Sequence, residues 1–132
     1  MASYRYTRLG EEIPPIPIVP LELIKPGRFE GESIVGQGIL DTGSDVTLIP
    51  IPWLMQVKAQ VAECPRRIAV GGVLSLAIPY EVGIKFDRFR HYVFRVYGCP
   101  VEDIGDMALV GRDLMNLYRI EFDGNLGIFT IG

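Results

Sequence analysis

The residues best suited to do chemistry in this chain lie together at Asp41-Thr42-Gly43-Ser44-Asp45. Apolar Gly38-Ile39-Leu40 leads into them, and Val46-Thr47-Leu48-Ile49-Pro50 leads away. A carboxylate placed between two apolar strands is costly unless it is hydrogen-bonded or has a chemical role. Gly43 permits close backbone approach and lets its N–H point at the carboxylate. Thr42 and Ser44 add short hydroxyls that can hold the loop rigid. Asp-Thr-Gly alone is also an ordinary Asx-type turn; the two apolar flanks and the Ser-x-x-Thr continuation set this one apart. Other chemistries lack their parts. His91 is the only histidine, and it falls in a strand-like pattern with no Ser/His or Cys/His arrangement around it. Cys64 and Cys99 show no zinc-ligand spacing and read as two unpaired thiols, with a disulfide between them as the alternative.

The elements that must position this loop are mostly strands. Fifteen glycines and ten prolines separate short runs rich in Val, Ile, Phe and Tyr. Strands are expected at Leu21 to Ile24, Arg28 to Glu32, Ser33 to Leu40 and Val46 to Ile49, with a helical turn at Pro52 to Lys58. Arg67 to Val70 and Val73 to Ile78 flank Gly71-Gly72, a two-residue loop that marks a hairpin because the turn needs positive φ. Further strands are expected at Tyr80 to Phe86, His91 to Tyr97 and Met107 to Val110. The segment 111–118 reads as the one helix, with Leu114, Leu117 and Tyr118 at i, i+3, i+4 facing the core. Arg119 to Phe122 and Leu126 to Ile131 close the chain as a hairpin. Ahead of this, four prolines between Ile13 and Pro20 argue against a helix or a central strand. The reading is a Pro-rich arm over 1–20 and a single domain over 21–132.

The chain's 132 residues suffice for one core without metals or many disulfides. Apolar residues make up 48% and charged residues 22%, which places it among folded globular domains. A net charge of −3 gives no electrostatic reason to expect nucleic acid. The basic stretch Asp87-Arg88-Phe89-Arg90-His91 reads as a solvated strand end or turn. The start lacks the apolar core of a signal peptide, and no apolar run reaches the ~18 residues that span a bilayer. A cytoplasmic protein without a membrane or nucleic-acid partner is expected.

The Asp41 loop resembles the active-site loop of retroviral-type aspartic proteases, the retropepsins. In that family an apolar-Asp-Thr/Ser-Gly-Ala/Ser loop carries the catalytic aspartate. A second signature lies downstream, two apolar residues and then Gly-Arg leading into the helix. Here it is Leu109-Val110-Gly111-Arg112-Asp113-Leu114-Met115. The resemblance implies an all-β, retropepsin-like half-barrel with one short C-terminal helix (about 111–118) and a glycine-tipped flap hairpin, acting as a two-fold dimer. It makes Asp41, Thr42 and Gly43 the catalytic triplet, Thr42 locking the two subunits' loops together. Ser44, Asp45, Gly71, Gly72, Val73 and Leu109 become substrate-binding, with Ile49 as further pocket lining. Gly111 and Arg112 become structural support, Arg112 pairing with Asp45. The hairpin after the helix is closer to the cellular and bacterial single-lobe members than to the shortest viral enzymes.

The chemistry so implied is peptide-bond hydrolysis by a water held between two carboxylates. One takes a proton from the water and the other gives one to the scissile carbonyl. Two acids this close share one proton and titrate as a unit; aspartic proteases are a standard worked case of that rule. One chain supplies one such aspartate, so Asp41 needs Asp41 of a second copy, in a homodimer that takes a peptide or protein substrate. No metal or organic cofactor is required. The Ser44 hydroxyl, next to Gly43, is expected to donate to the ionised carboxylate and lower its pKa. Two other readings share parts of the pattern: a silent dimer of the same fold that binds peptides or scaffolds an assembly, and an unrelated small β-barrel binding module.

Overall fold

Period-two burial builds most of the molecule. Leu21 and Leu23 are fully buried on one face of their strand, and Val82, Ile84 and Phe86 repeat the pattern on another. Each such side chain contributes ~1.5–3 kcal/mol. The computed structural model describes residues 1–26 and 33–132. The strand expected at 28–32 lies outside the described residues. The strands in chain order are β1 (Ala2–Arg5), β2 (Ile18–Ile24), β3 (Ser33–Leu40), β4 (Leu48–Pro50), β5 (Gln60–Val61) and β6 (Arg66–Val70). They continue with β7 (Val73–Phe86), β8 (Tyr92–Cys99), β9 (Ala108–Val110), β10 (Ile120–Asp123) and β11 (Ile128–Ile131). Among the described residues three short helices intervene: α1 (Ile51–Gln56), α2 (Val101–Ile104) and α3 (Arg112–Met115).

The larger sheet runs β2-β3-β9-β4-β8-β7-β5, with β6 also on β7. A further pairing of β2 with β7, Leu21 to Ile24 against Gly83 to Phe86, closes its central strands into a barrel. Val19, Leu21, Ile49, Leu54, Phe86 and Val110 fill the interior. The smaller sheet runs β1-β11-β10. Tyr4 of β1 stacks on Phe129 at 5.2 Å and donates its phenol to Asp87 at 2.9 Å. Burial and that bond push the Tyr4 pKa up to about 12. Residues ahead of Leu21 thus contribute to both sheets. Among the described residues no helix is long and apolar enough to cross a membrane.

Several expectations need correction. Pro20 does sit in a strand with partners on both sides, because β7 begins to pair only at Leu21. The N–H that proline lacks falls past the end of that ladder, where the Pro20 carbonyl accepts from the Asp87 N–H at 2.9 Å. The strands expected at 73–78 and 80–86 are one, β7, and Pro79 lies inside it. The C-terminal helix is a single turn, α3, rather than eight residues. Leu114 is buried as expected, but Leu117 is 44% exposed, because the chain leaves the helix before that face turns inward. Gly36 is required by packing: a Cβ there would overlap the Trp53 ring of α1. The basic stretch 87–91 is a turn between β7 and β8, with Arg90 over the Tyr92 ring at 4.8 Å.

Tyr118 packs against Phe86, Phe89 and Tyr92 at 4.8, 5.7 and 5.9 Å. Its buried hydroxyl has no hydrogen-bond partner among the described residues. Burial, with Tyr92 adding and Arg90 opposing, pushes its pKa from 10.0 up to about 12. Tyr118→Phe is therefore expected to raise stability at neutral pH by about 1 kcal/mol, since it removes an unpaired buried hydroxyl. A folded-state pKa raised above the unfolded value adds stability that is complete below pH 10 and lost as pH climbs toward about 12. Chemical denaturation across that window should show a shallower alkaline loss in the variant. An unchanged or lower stability at neutral pH would show the hydroxyl to be satisfied.

Candidate active site

The fold forces the Asp41 loop into a tight crossing. β9 lies between β3 and β4, parallel to β3 (Gly38 with Ala108, Leu40 with Val110) and touching β4 at Leu48 with Leu109. The segment 41–47 must therefore pass over the end of β9 to join its two neighbours. Backbone bonds pin it there: Asp41 N–H to the Val110 carbonyl at 2.9 Å, and Arg112 N–H to the Ser44 carbonyl at 2.9 Å. Gly111 sits directly beneath. A Cβ at Gly111 would overlap the Val46 carbonyl and come within 2.5 Å of its carbon, so only glycine fits without moving the loop.

Asp41 is half-buried and its Oδ1 accepts the Gly43 N–H at 3.0 Å. The Ser44 N–H closes the turn on the Asp41 carbonyl at 3.1 Å. Thr42 and Gly43 are exposed. The Arg112 guanidinium donates to the Thr42 carbonyl at 2.6 Å and forms an ion pair with Asp45. Both side chains of that pair face solvent, so the pair itself is worth at most about 1 kcal/mol; its effect is to hold the loop's shape. Ser44 departs from expectation. Its hydroxyl donates to the Val46 carbonyl at 2.7 Å, which spends its one proton away from the Asp41 carboxylate.

A network beneath the loop escaped the sequence reading. Thr47 is fully buried; its N–H and hydroxyl donate to the Asp113 carboxylate at 3.0 and 2.7 Å. The Thr47 Oγ1 in turn accepts the Gly111 N–H at 3.1 Å. Asp113 also takes the Leu114 N–H at 2.8 Å. The only signal was an acid just after Gly-Arg, which looks like any first-turn helix acid.

The hairpin of β6 and β7 turns on Gly71 (φ 56°) and Gly72 (φ 84°), with Val70 opposite Val73. Between its base and the Asp41 loop lies a half-open cleft of about 430 Å³, lined by Gly43, Ser44, Asp45, Val46, Leu48, Arg66, Ile68, Ala69 and Tyr97. Gly71 and Val73 instead line a second pocket of about 360 Å³ with Ser75, Glu102 and Asp103. Ile49 is not pocket lining; it is fully buried in the barrel core, one residue out of register with Leu48. Leu109 is half-buried against Leu48 and Cys99 and lines neither space. Both cysteines are free thiols, Cys64 exposed and Cys99 buried, and burial pushes the Cys99 pKa up.

The β barrel, the loop crossing over β9 and the glycine hairpin define a retropepsin-like fold. Fourteen solved chains match it in structure. One is the EIAV protease complexed with the inhibitor HBY-793, with a TM-score of 0.58 over 82% of this chain and 92% of that one. Their sequences are 16% identical, so the likeness speaks for the fold. No family model and no curated protein matches the sequence.

Proposed function

We propose that this chain is one half of an aspartic endopeptidase, active as a two-fold dimer. The observation that carries the reading is the Asp41 carboxylate, held by the Gly43 N–H in a loop whose next residues, Gly43 to Val46, line a cleft shared with strand β6 of the glycine hairpin. In the dimer Asp41 faces Asp41 of the second copy, and the two share one proton. The ionised member takes a proton from the water, whose oxygen attacks the peptide carbonyl carbon. The protonated member gives its proton to the carbonyl oxygen. Collapse of the tetrahedral intermediate breaks the C–N bond as the amine is protonated. Asp45 and the Gly43 backbone bind substrate main chain, Thr42 joins the two loops, and Gly71-Gly72 tips the flap. The β10–β11 hairpin beyond the helix favours kinship with cellular and bacterial single-lobe members.

The test is cleavage-site profiling of a peptide library across pH, with and without a pepstatin-type inhibitor, at several protein concentrations. Inhibitor-sensitive cleavage is expected. Well below the dimer dissociation constant, turnover per chain should fall about tenfold for each tenfold dilution, because only paired chains are active. Constant turnover per chain in a demonstrated monomer would sink the dimer mechanism. Peptide binding without any cut would favour the silent dimer.

A further inference from the structure

The cleft beside Asp41 has a charge pattern that its apolar walls do not require. Val46, Leu48, Ile68 and Tyr97 give it an apolar lining. Of the two charged residues on it, Asp45 is already paired with Arg112. The other, Arg66, lies with its guanidinium carbon 5.6 Å from the centre of the Tyr97 ring. Arg66 donates to Glu63 at 2.8 Å, and the other oxygen of Glu63 takes Arg95 at 2.7 Å. Two guanidiniums therefore share the Glu63 carboxylate, so Glu63 does not hold Arg66 exclusively, and among the described residues Arg66 is the one cationic side chain on the cleft wall. Two contacts also fix the Arg66 fork, whose planar donors suit a carboxylate. The acids Glu102 and Asp103 line the separate pocket at the flap tip.

We infer that Arg66 makes this cleft select peptide segments carrying an acidic side chain, whose carboxylate meets the guanidinium while its methylenes pack beside Tyr97 and Ile68. This rests on the peptidase reading for the place of the peptide, though binding alone can test it. Only the charge preference is specific to Arg66; a merely apolar pocket would prefer the uncharged isostere, which is cheaper to desolvate.

The experiment uses the full chain and matched peptides in which each position near the cut carries Glu, Gln or Lys in turn. Affinities of non-hydrolysable reduced-amide versions are measured beside kcat/KM of the cleavable ones. One position should favour Glu over Gln by about 3- to 10-fold at low salt, a preference that shrinks as salt rises. Arg66→Met should abolish the ratio, Arg66→Lys retain part of it, and Arg66→Glu turn it toward Lys. Arg67→Met, on the next residue of β6 and outside the cleft lining, should leave the ratio in place. Equal binding of Glu and Gln peptides at every position, or a preference that survives Arg66→Met, overturns the proposal even if cleavage is robust. Glu-selective, Arg66-dependent binding without cleavage upholds it and sinks the peptidase reading instead.

Discussion

Asp41→Asn is expected to lower kcat/KM by at least about 10⁴-fold while the protein remains folded. Hydrolysis needs a carboxyl group that can both accept and donate a proton, and an amide does neither. Stability should change little, because the carboxylate's one hydrogen bond in the loop is to the Gly43 N–H, which the amide oxygen can equally accept. A fluorogenic peptide assay beside a thermal melt separates the two effects. Mixing supplies a sharper form. Excess Asp41→Asn chain added to wild type should silence it, as wild-type subunits are drawn into mixed pairs with one working carboxyl. A folded Asp41→Asn protein that cuts at near wild-type rate, or wild type indifferent to excess variant, contradicts the assignment.

Asp113→Ala is expected to cost about 3 kcal/mol, lowering the melting temperature by roughly 10 °C. The carboxylate accepts three hydrogen bonds, two of them from a residue with no solvent exposure. Its loss leaves the Thr47 N–H without an acceptor in a place water does not reach, and frees the hydroxyl that braces Gly111. The Thr47→Val, Asp113→Ala double variant should lose clearly less than the two singles added, because both break one network. Arg112→Ala makes the contrast: its partners are exposed, so it should cost about 1 kcal/mol or less in stability while loosening the Thr42 and Asp45 geometry. An Asp113→Ala protein melting within a degree or two of wild type would show that the network does not hold the loop.

Features set by near neighbours in sequence were legible in advance. Gly71-Gly72 needed only local backbone chemistry to be read as a hairpin tip, and both residues take positive φ. The apolar strand, acid, glycine, apolar strand order placed Asp41 at a strand end. What the sequence concealed depends on partners remote in the chain. Pro20 and Pro79 look like strand breakers until the missing N–H is seen to fall where a neighbouring ladder ends or changes hands. Ile49 and Leu48 are equally apolar, and only the register of β4 decides which one reaches the cleft and which the core. Ser44 stands next to Gly43, yet its hydroxyl bonds two residues onward. The Asp113 bond to Thr47 spans 66 positions, and no local rule anticipates it.

The unbroken length of β7 has a consequence for how such a protein can diversify. Its first half pairs with β6 as far as Ala77, and its second half with β5 from Tyr80 and with β2 from Gly83. Pro79 marks the handover, its carbonyl taking the Ala62 N–H at 2.8 Å. Val73, Leu74 and Leu76 are exposed, whereas Val82, Ile84 and Phe86 are wholly buried. One strand thus carries two mutational regimes end to end. Substitutions at Val73, Leu74 and Leu76 fall on exposed surface, and those after Pro79 fall mostly on packing. Changes at these exposed positions can accumulate at little expense to the barrel that anchors them.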